Sequence, residues 1–296
     1  MKHRHAAVSF VVLLVLGAAT PVLAQVHLTH VHGLAWSGDG KRLMIPSHHG
    51  LAIHENGKWS MAPGPRHDYM GFAGTAKHLY SSGHPAPGSG LINPFGLIRS
   101  RDGGRTWDKL GLEGETDFHV LAAGWNTNAI YVWNPEPSSR MRRTGLHYTT
   151  DEGKTWHSAA AAGLRGEPMA IAGHPDDRKT LALATPQGIF LSRDAGATVS
   201  ALAAGMHGTA VHFDLNGREL WYGAFKGAPL LARASLGGEP LAQPTLPPLR
   251  KDAVAYIAQN PVSRDQYAIA TFERDVYLSS DGGRSWTPIA REGKTR

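Results

Sequence analysis

The sequence predicts an all-β fold, a single six-bladed β-propeller with four-stranded antiparallel blades. Three observations predict it: a turn motif occurs four times, a run of small and apolar residues occurs six times, and each such run is followed by further strand-like runs. The repeat length is 40 to 50 residues, and four strands in that length are typical of a propeller blade. No linker-like stretch separates the repeats, so one domain is expected over residues 25–296.

The turn motif has the pattern Ser/Thr-x-Asp-x-Gly-x-Ser/Thr-Trp, and we term it an Asp box. It occupies residues 100–107, 149–156, 192–199 and 279–286. Its aspartates are Asp102, Asp151, Asp194 and Asp281, spaced 49, 43 and 87 residues apart. The last interval is two repeats of about 43 residues, so one repeat has lost its box.

Each Asp box lies between two strand-like runs and is therefore predicted to be a hairpin turn. The Asp and Ser/Thr side chains can bond to amides of the turn, and the Gly tolerates a positive φ. The tryptophans, which can bury their rings between neighbouring sheets, are Trp107, Trp156 and Trp286. A structural role is predicted for all these residues.

The apolar runs predict the first strand of each blade. They lie at residues 31–35, 69–73, 119–122, 169–172, 210–212 and 255–258. Continuous small and apolar runs suit strands buried on both faces at the centre of a propeller. The predicted blades are residues 27–65, 66–113, 116–162, 165–204, 207–248 and 251–293. The fifth lacks a box and ends in a proline-rich stretch, which predicts an irregular outer edge.

The first 24 residues have the pattern of a signal peptide. Lys2 and Arg4 precede an apolar run at residues 6–19, and small residues lead to a cleavage site after Ala24. The run is shorter than the ~20 residues of a membrane-spanning helix. The chain has no cysteine, which excludes a lipid-modified lipoprotein and a disulfide scaffold. We therefore expect a periplasmic or secreted protein without a membrane span after cleavage.

Charge and composition restrict the partners. The formal net charge is +6, of which Lys2 and Arg4 supply two, and the chain has no long basic run. Nucleic acid is therefore not an expected partner. We expect a small-molecule, glycan or peptide ligand, and the 17 histidines also suggest a divalent metal, copper or zinc. The sequence predicts no oligomeric state.

The boxes resemble those of the Asp-box (BNR-repeat) propellers, which include sialidases, sortilin-like receptors and photosystem assembly factors. Residues 30–35, 66–72, 82–88, 134–137 and 252–261 resemble bacterial exported proteins described as BNR-type glycosyl hydrolases. The resemblance implies a propeller and suggests glycosidase chemistry. It does not imply classical sialidase activity, because Met44-Ile45-Pro46 stands where those enzymes have Arg-Ile-Pro.

Two kinds of loop open on the same face of a propeller: those that enter the first strands and those that join second to third strands. We call this face the mouth; the Asp boxes lie at the opposite end. Polar side chains that converge in a concave place predict a ligand site. The candidate ligand-binding residues are Arg66, His67, His84, Asn93, Asn134, Arg140, Glu273 and Arg274.

Three functions remain open at this mouth. A glycoside hydrolase would use paired carboxylates, for which the candidates are Asp68, Glu136, Glu167 and Asp252. A metal-binding module would use imidazoles, which suit copper and zinc, and the candidates are His30, His32, His67 and His119; His48 is placed on the same face but outside this set. A non-catalytic scaffold would bind a protein or glycan partner there.

Overall fold

The computed structural model describes residues 25–249 and 251–296. The predicted signal peptide, residues 1–24, lies outside the described residues. Within them every regular element is a β-strand, and no helix is long and apolar enough to cross a membrane. The strands form six antiparallel sheets in a closed ring, which confirms the predicted all-β, six-bladed propeller.

The first three blades each have four strands. Blade 1 contains β1 (Ala35–Trp36), β2 (Arg42–Ser47), β3 (Gly50–Glu55) and β4 (Lys58–Met61). Blade 2 contains β5 (Asp68–Gly74), β6 (Leu79–His84), β7 (Leu97–Ser100) and β8 (Asp108–Gly111). Blade 3 contains β9 (Leu121–Ala123), β10 (Ile130–Asn134), β11 (Gly145–Thr149) and β12 (His157–Ser158).

The last three blades have four, three and five strands. Blade 4 contains β13 (Ala170–Gly173), β14 (Leu181–Thr185), β15 (Gly188–Ser192) and β16 (Ser200–Ala204). Blade 5 contains β17 (His207–Phe213), β18 (Glu219–Phe225) and β19 (Pro229–Ser235). Blade 6 contains β20 (Val254–Gln259), β21 (Tyr267–Thr271), β22 (Val276–Ser279), β23 (Thr287–Arg291) and β24 (Lys294–Thr295).

The core lies between adjacent blades. Between blades 1 and 2, for example, Met44 and Ile53 pack with Tyr69 and Phe72. The first strand of each blade, or the chain next to it, lines a central channel. Small and apolar side chains dominate that lining, which explains the six apolar runs of the sequence.

The ring closes through a seam between the first described residues and blade 6. The backbone amide of Leu28 donates to the carbonyl of Gly293 at 2.8 Å. The hydroxyl of Thr295 donates to the carbonyl of Val26 at 2.6 Å, and the Gln25 amide donates to the carbonyl of Thr295 at 2.7 Å. The seam thus joins residues about 270 positions apart in the chain.

Blade 5 lacks a regular fourth strand, as its prolines predict. The chain after β19 instead forms hydrogen bonds with the Asp box of blade 6. The hydroxyl of Thr245 donates to the carbonyl of Arg284 at 2.8 Å, and the indole N–H of Trp286 donates to the carbonyl of Thr245 at 2.9 Å.

The first strand of blade 1 is shorter than the predicted run, because β1 begins only at Ala35. Its register pairs Ala35 with Met44 and would place Gly33 opposite Pro46. Pro46 has no N–H to donate, so the ladder cannot continue toward the mouth. One bond remains there, from the amide of His32 to the carbonyl of Pro46 at 3.2 Å. Residues 30–34 therefore leave the sheet as irregular backbone.

The four Asp boxes form the predicted hairpin turns with one bonding pattern. In the second box, the hydroxyl of Thr149 donates to Oδ1 of Asp151 at 2.8 Å, and the hydroxyl of Thr155 donates to Oδ2 at 2.6 Å. The amide of Gly153 donates to the Thr149 hydroxyl at 2.9 Å. The boxes of Asp102, Asp194 and Asp281 repeat this pattern. The carboxylates and hydroxyls of these motifs are used within the turns, as a structural role requires.

Candidate functional site

Three histidines of blade 1 form a cluster at the mouth. His30 and His32 lie on the irregular segment before β1, and His48 lies in the two-residue turn between β2 and β3. One ring nitrogen from each lies within 4.8 Å of the other two. The rings are nearly parallel, with centroids of His30 and His48 4.1 Å apart. We call these three residues the trihistidine cluster.

Asp68, the first residue of β5, faces the trihistidine cluster from blade 2. One carboxylate oxygen is 3.9 Å from Nε2 of His32, and the other is 3.9 Å from Nε2 of His48. Both Oδ1 of Asp68 and Nε2 of His32 are buried without a hydrogen-bond partner among the described residues. Buried polar atoms in folded proteins normally have a partner, so these two atoms are available to bond to water or to a ligand.

The electrostatics of the cluster favour the neutral form of His30 and His32. Burial, together with the nearby His48 and His30, lowers the pKa of His32 to about 4. Burial, His48 and the guanidinium of Arg274 lower the pKa of His30. At neutral pH the contact between His32 and Asp68 is therefore not an ion pair, and the neutral ring is the form that binds a metal ion.

A second group of polar side chains lies beside the first, on blades 2 and 3. Oδ2 of Asp117 is 3.0 Å from Nε2 of His84 and 2.9 Å from Nε2 of His119. Nδ1 of His84 is 2.7 Å from Oδ1 of Asn93. Hydrogen bonding to Asp117 raises the pKa of His119. We call Asp117, His84 and His119 the carboxylate-imidazole group.

The two clusters are electrostatically coupled. The negative charge of Asp117 counters the lowering of the pKa of His32, and the charge of Asp68 contributes to the raised pKa of His119. Blades 1, 2 and 3 thus share one polar side of the mouth.

Of the predicted metal ligands, His67 stands apart. It is buried beneath the mouth with its ring against Tyr69 and Phe95, and its Nδ1 accepts the amide of Ala86 at 2.9 Å. Burial lowers its pKa. The ring packs and orders the loop after β6, so we assign it no place in the clusters.

The other predicted site residues are spread around the ring. Glu136, Glu167 and Arg66 are exposed. Asn134 is buried and donates to the carbonyl of Arg143 at 2.9 Å. Arg140 donates to the carbonyl of Gly153, at the second Asp box, at 2.7 Å. These residues are not brought together.

Three predicted residues lie on the blade 6 side of the mouth. Oδ1 of Asp252 accepts the backbone amides of Ala253 at 2.7 Å and Glu273 at 3.2 Å, so it orders the chain around β20 and β21. Glu273 is exposed. The guanidinium of Arg274 donates to the carbonyl of Thr29 at 3.1 Å, which brings it to the edge of the trihistidine cluster.

Two residues of these clusters, His48 and Asp117, are placed at the mouth by the sequence but were not among the predicted metal ligands, ligand-binding or catalytic residues. The sequence feature that places His48 beside His30 and His32 is the short interval between β2 and β3. A two-residue hairpin at the mouth end of the second strand lies directly beside the start of the first strand. Asp117 has a comparable signal, since it lies in the segment that enters the first strand of its blade, β9.

The comparisons with known proteins agree with this fold. The family model of the BNR/Asp-box repeat matches residues 147–158, which contain the second Asp box. The sequence has no match among curated proteins. A GH74 enzyme of Niastella koreensis has a TM-score of 0.61 at 15% identity, over 90% of this chain and 46% of that one.

Two further solved structures are similar. An ancestral GH74 enzyme has a TM-score of 0.55 at 13% identity, over 92% of this chain and 40% of that one. The extracellular domain of a one-component system from B. thetaiotaomicron has a TM-score of 0.55 at 11% identity, over 90% of this chain and 34% of that one. This chain spans less than half the length of these proteins, and at such identities the likeness shows the fold.

Proposed function

We propose that this six-bladed propeller with BNR/Asp-box repeats is an exported protein that binds a copper or zinc ion at its mouth. The observation that carries the proposal is the trihistidine cluster, with its ring nitrogens within 4.8 Å of one another. Imidazole is a preferred ligand of both metals. Nitrogens bound to one ion at about 2.0–2.1 Å lie roughly 3.3 Å apart in a tetrahedral site. Modest rotations of the three rings would therefore bring their nitrogens to this separation.

Asp68 supports the proposal as a fourth, oxygen ligand. It faces both His32 and His48, and its buried Oδ1 has no partner among the described residues. Such a site would satisfy the two unpartnered atoms at once. It would also require no large release of protons, because His30 and His32 have lowered pKa values.

Export rests on the predicted signal peptide. An exported, cysteine-free chain would meet metal ions outside the cytoplasm and bind them through imidazole and carboxylate instead of thiolate. Binding alone suits metal capture, delivery or sensing.

The test is a titration of the mature protein, purified without a histidine tag, with Cu²⁺ and Zn²⁺ in separate experiments. We expect at least one tightly bound ion per chain, and we expect His32→Ala to lose one equivalent. His207→Ala is the matched control, because His207 lies at the mouth near Met169 and outside both clusters. Equal binding by the wild type and His32→Ala would refute the proposal.

Glycoside hydrolysis is the second candidate function. It is favoured by the propeller likeness to GH74 enzymes and by carboxylates on neighbouring blades, Asp68 and Asp117, each with a buried oxygen that has no partner among the described residues. A panel of polysaccharides would be tested with the wild type and Asp68→Asn. Turnover lost in the variant would support this function, whereas glycan or peptide binding without turnover would support a scaffold.

A further inference from the structure

A cavity of about 500 Å³ opens beside the trihistidine cluster, between blades 6 and 1. His30 and His32 line it from blade 1, and Tyr256, Phe272 and Arg274 line it from blade 6. Ligand cavities in proteins commonly measure about 300–1,000 Å³. The cavity is therefore large enough for a small molecule that also reaches the cluster.

Arg274 supplies the positive charge of this cavity. Its guanidinium is partly buried and, among the described residues, makes one hydrogen bond, from Nη1 to the carbonyl of Thr29 at 3.1 Å. The partly or fully buried Arg99, Arg233 and Arg291 each pair with a carboxylate. A guanidinium has five N–H groups in a planar fork that fits a carboxylate with two parallel hydrogen bonds. Arg274 therefore has donors to spare for an anion.

The backbone fixes the place from which this side chain starts. Arg274 has a positive φ of 66°, its amide donates to the carbonyl of Thr271 at 3.0 Å, and its carbonyl accepts the amide of Gly293 at 3.0 Å. The turn itself does not require an arginine, since glycine and asparagine adopt this conformation more readily. Burial, His48 and this guanidinium together lower the pKa of His30, so Arg274 acts on the cluster electrostatically.

The charges around the cavity favour an anion once an ion is bound. A divalent ion with neutral imidazoles and the carboxylate of Asp68 would leave one net positive charge, and Arg274 adds a second. Glu273 also lines the cavity with the opposite charge, but it is exposed, and water and salt screen exposed charges. Without the ion, Asp68 and Glu273 outweigh Arg274. An anion should therefore bind the metal-loaded protein more tightly than the apo protein.

Two aromatic side chains give the cavity an apolar wall. Phe272 is 53% exposed, although covering an apolar ring is favourable. Tyr256 lines both this cavity and the central channel, and burial raises the pKa of its hydroxyl to about 12. The tyrosine is therefore neutral at physiological pH. The two rings can cover the apolar part of a ligand whose charged end lies at Arg274.

We propose that this cavity binds a small organic carboxylate with an apolar body, with Arg274 at one end and the ion of the trihistidine cluster beside it. Zinc sites can expand from four to five ligands, so a carboxylate oxygen can join the three imidazoles and Asp68. Such a ligand would use the spare donors of Arg274 and cover Phe272. The inference rests on the proposed function, because the ion is part of the carboxylate's site.

The experiment uses benzoate as the probe and the full mature chain. The wild type and each variant are first titrated with Cu²⁺ and Zn²⁺, and calorimetry then measures benzoate binding to the metal-loaded and apo forms. Arg274→Gln should keep the metal and weaken benzoate binding at least ~10-fold, because it removes hydrogen bonds between two charged groups. Lys251→Gln is the matched control and should change neither affinity, because Lys251 is exposed before β20 and does not line this cavity.

A third variant tests the apolar wall. Phe272→Ala should weaken the binding of benzoate but leave the binding of acetate nearly unchanged, because acetate has no ring to cover. Equal losses for both anions would overturn the apolar part of the proposal. Tighter binding of inorganic phosphate than of benzoate would overturn the assignment to an organic carboxylate.

The outcomes separate this inference from the proposed function. Equal benzoate affinity in the metal-loaded wild type and Arg274→Gln would overturn the carboxylate site and leave the proposed function intact. If Arg274→Gln fails to hold the metal, Arg274→Lys replaces it in the same comparison, because lysine keeps the charge and loses the planar fork. A wild type that binds neither metal would overturn the proposed function. Benzoate binding to the apo protein that Arg274→Gln abolishes would then support the carboxylate site, and no benzoate binding would overturn it too.

Discussion

The two ends of the propeller contain similar residue types but use them differently. At the Asp-box end, both carboxylate oxygens of Asp151 accept hydrogen bonds within their own turn. At the mouth, Asp68, Asp117 and His32 each have a buried atom without a partner among the described residues. The aspartate of this Asp box therefore uses its bonding capacity within its own turn, whereas these three neighbouring mouth residues keep unmet bonding capacity. Three predictions test this contrast.

The largest difference is expected between two histidines, one at each end. His32→Ala should weaken metal binding at least ~100-fold, because it removes a ligand. His174→Ala should leave metal binding unchanged, because His174 lies at the Asp-box end with Nε2 bonded to Gly217 and Nδ1 to two backbone amides. It should instead lower the free energy of unfolding by about 1–3 kcal/mol. Competition titrations measure the metal affinity, and urea unfolding measures the free energy of unfolding. Equal losses of metal affinity in His32→Ala and His174→Ala would contradict the difference between the two ends.

The next prediction concerns a lone unpartnered histidine. His212 lines the central channel, its Nε2 has no partner among the described residues, and burial lowers its pKa to about 4. Since the unfolded chain binds a proton near pH 6.5 and the folded chain does not, the protein should lose about 3 kcal/mol of stability as the pH falls from 6.5 toward 4.

His212→Leu should remove most of that pH dependence. It should not change metal affinity, because a single imidazole without neighbouring ligands makes a weak site. Urea unfolding at several pH values measures the first effect, and a metal titration of the variant measures the second. Loss of metal binding in His212→Leu would contradict this prediction and would show that the unpartnered imidazole in the channel also contributes to metal binding.

The smallest effect is expected from one Asp box. Hydrogen bonds from Thr155 lower the pKa of Asp151 to about 2. Since this pKa is lower in the folded chain than in the unfolded one, the carboxylate stabilises the protein above about pH 4, and this contribution is lost as the pH falls toward 2. Asp151→Ala should cost about 1 kcal/mol at neutral pH and make acid unfolding less steep.

Asp68→Ala is the matched control for that prediction. It should leave the free energy of unfolding of the apo protein nearly unchanged, because Asp68 has a buried oxygen without a partner among the described residues. Thermal and urea unfolding compare the two variants. A larger loss of stability in Asp68→Ala would contradict the contrast between the ends.

The sequence predicted the fold well because each blade repeats its own signals. Each Asp box depends on residues within a few positions of one another, so its pattern is readable locally. The start of β1 was placed too early, because the apolar run at residues 31–35 does not show that Pro46, on the next strand, ends the ladder.

The site was predicted less completely, because it depends on contacts between distant segments. His30 and His32 were named as ligands, and they do meet in one cluster. His67 was named with them, but the same strand pattern places its ring among Tyr69 and Phe95. Which mouth residue turns inward or outward depends on packing across blades, and a single sequence does not contain that information.

The position of the trihistidine cluster depends on the seam that closes the ring. His30 and His32 follow directly after the residues that pair with blade 6, and Arg274 of blade 6 bonds to the carbonyl of Thr29. Contacts between residues so far apart in sequence form late. An ion held there would favour the closed ring over the open one, because it would fix the segment that follows the seam.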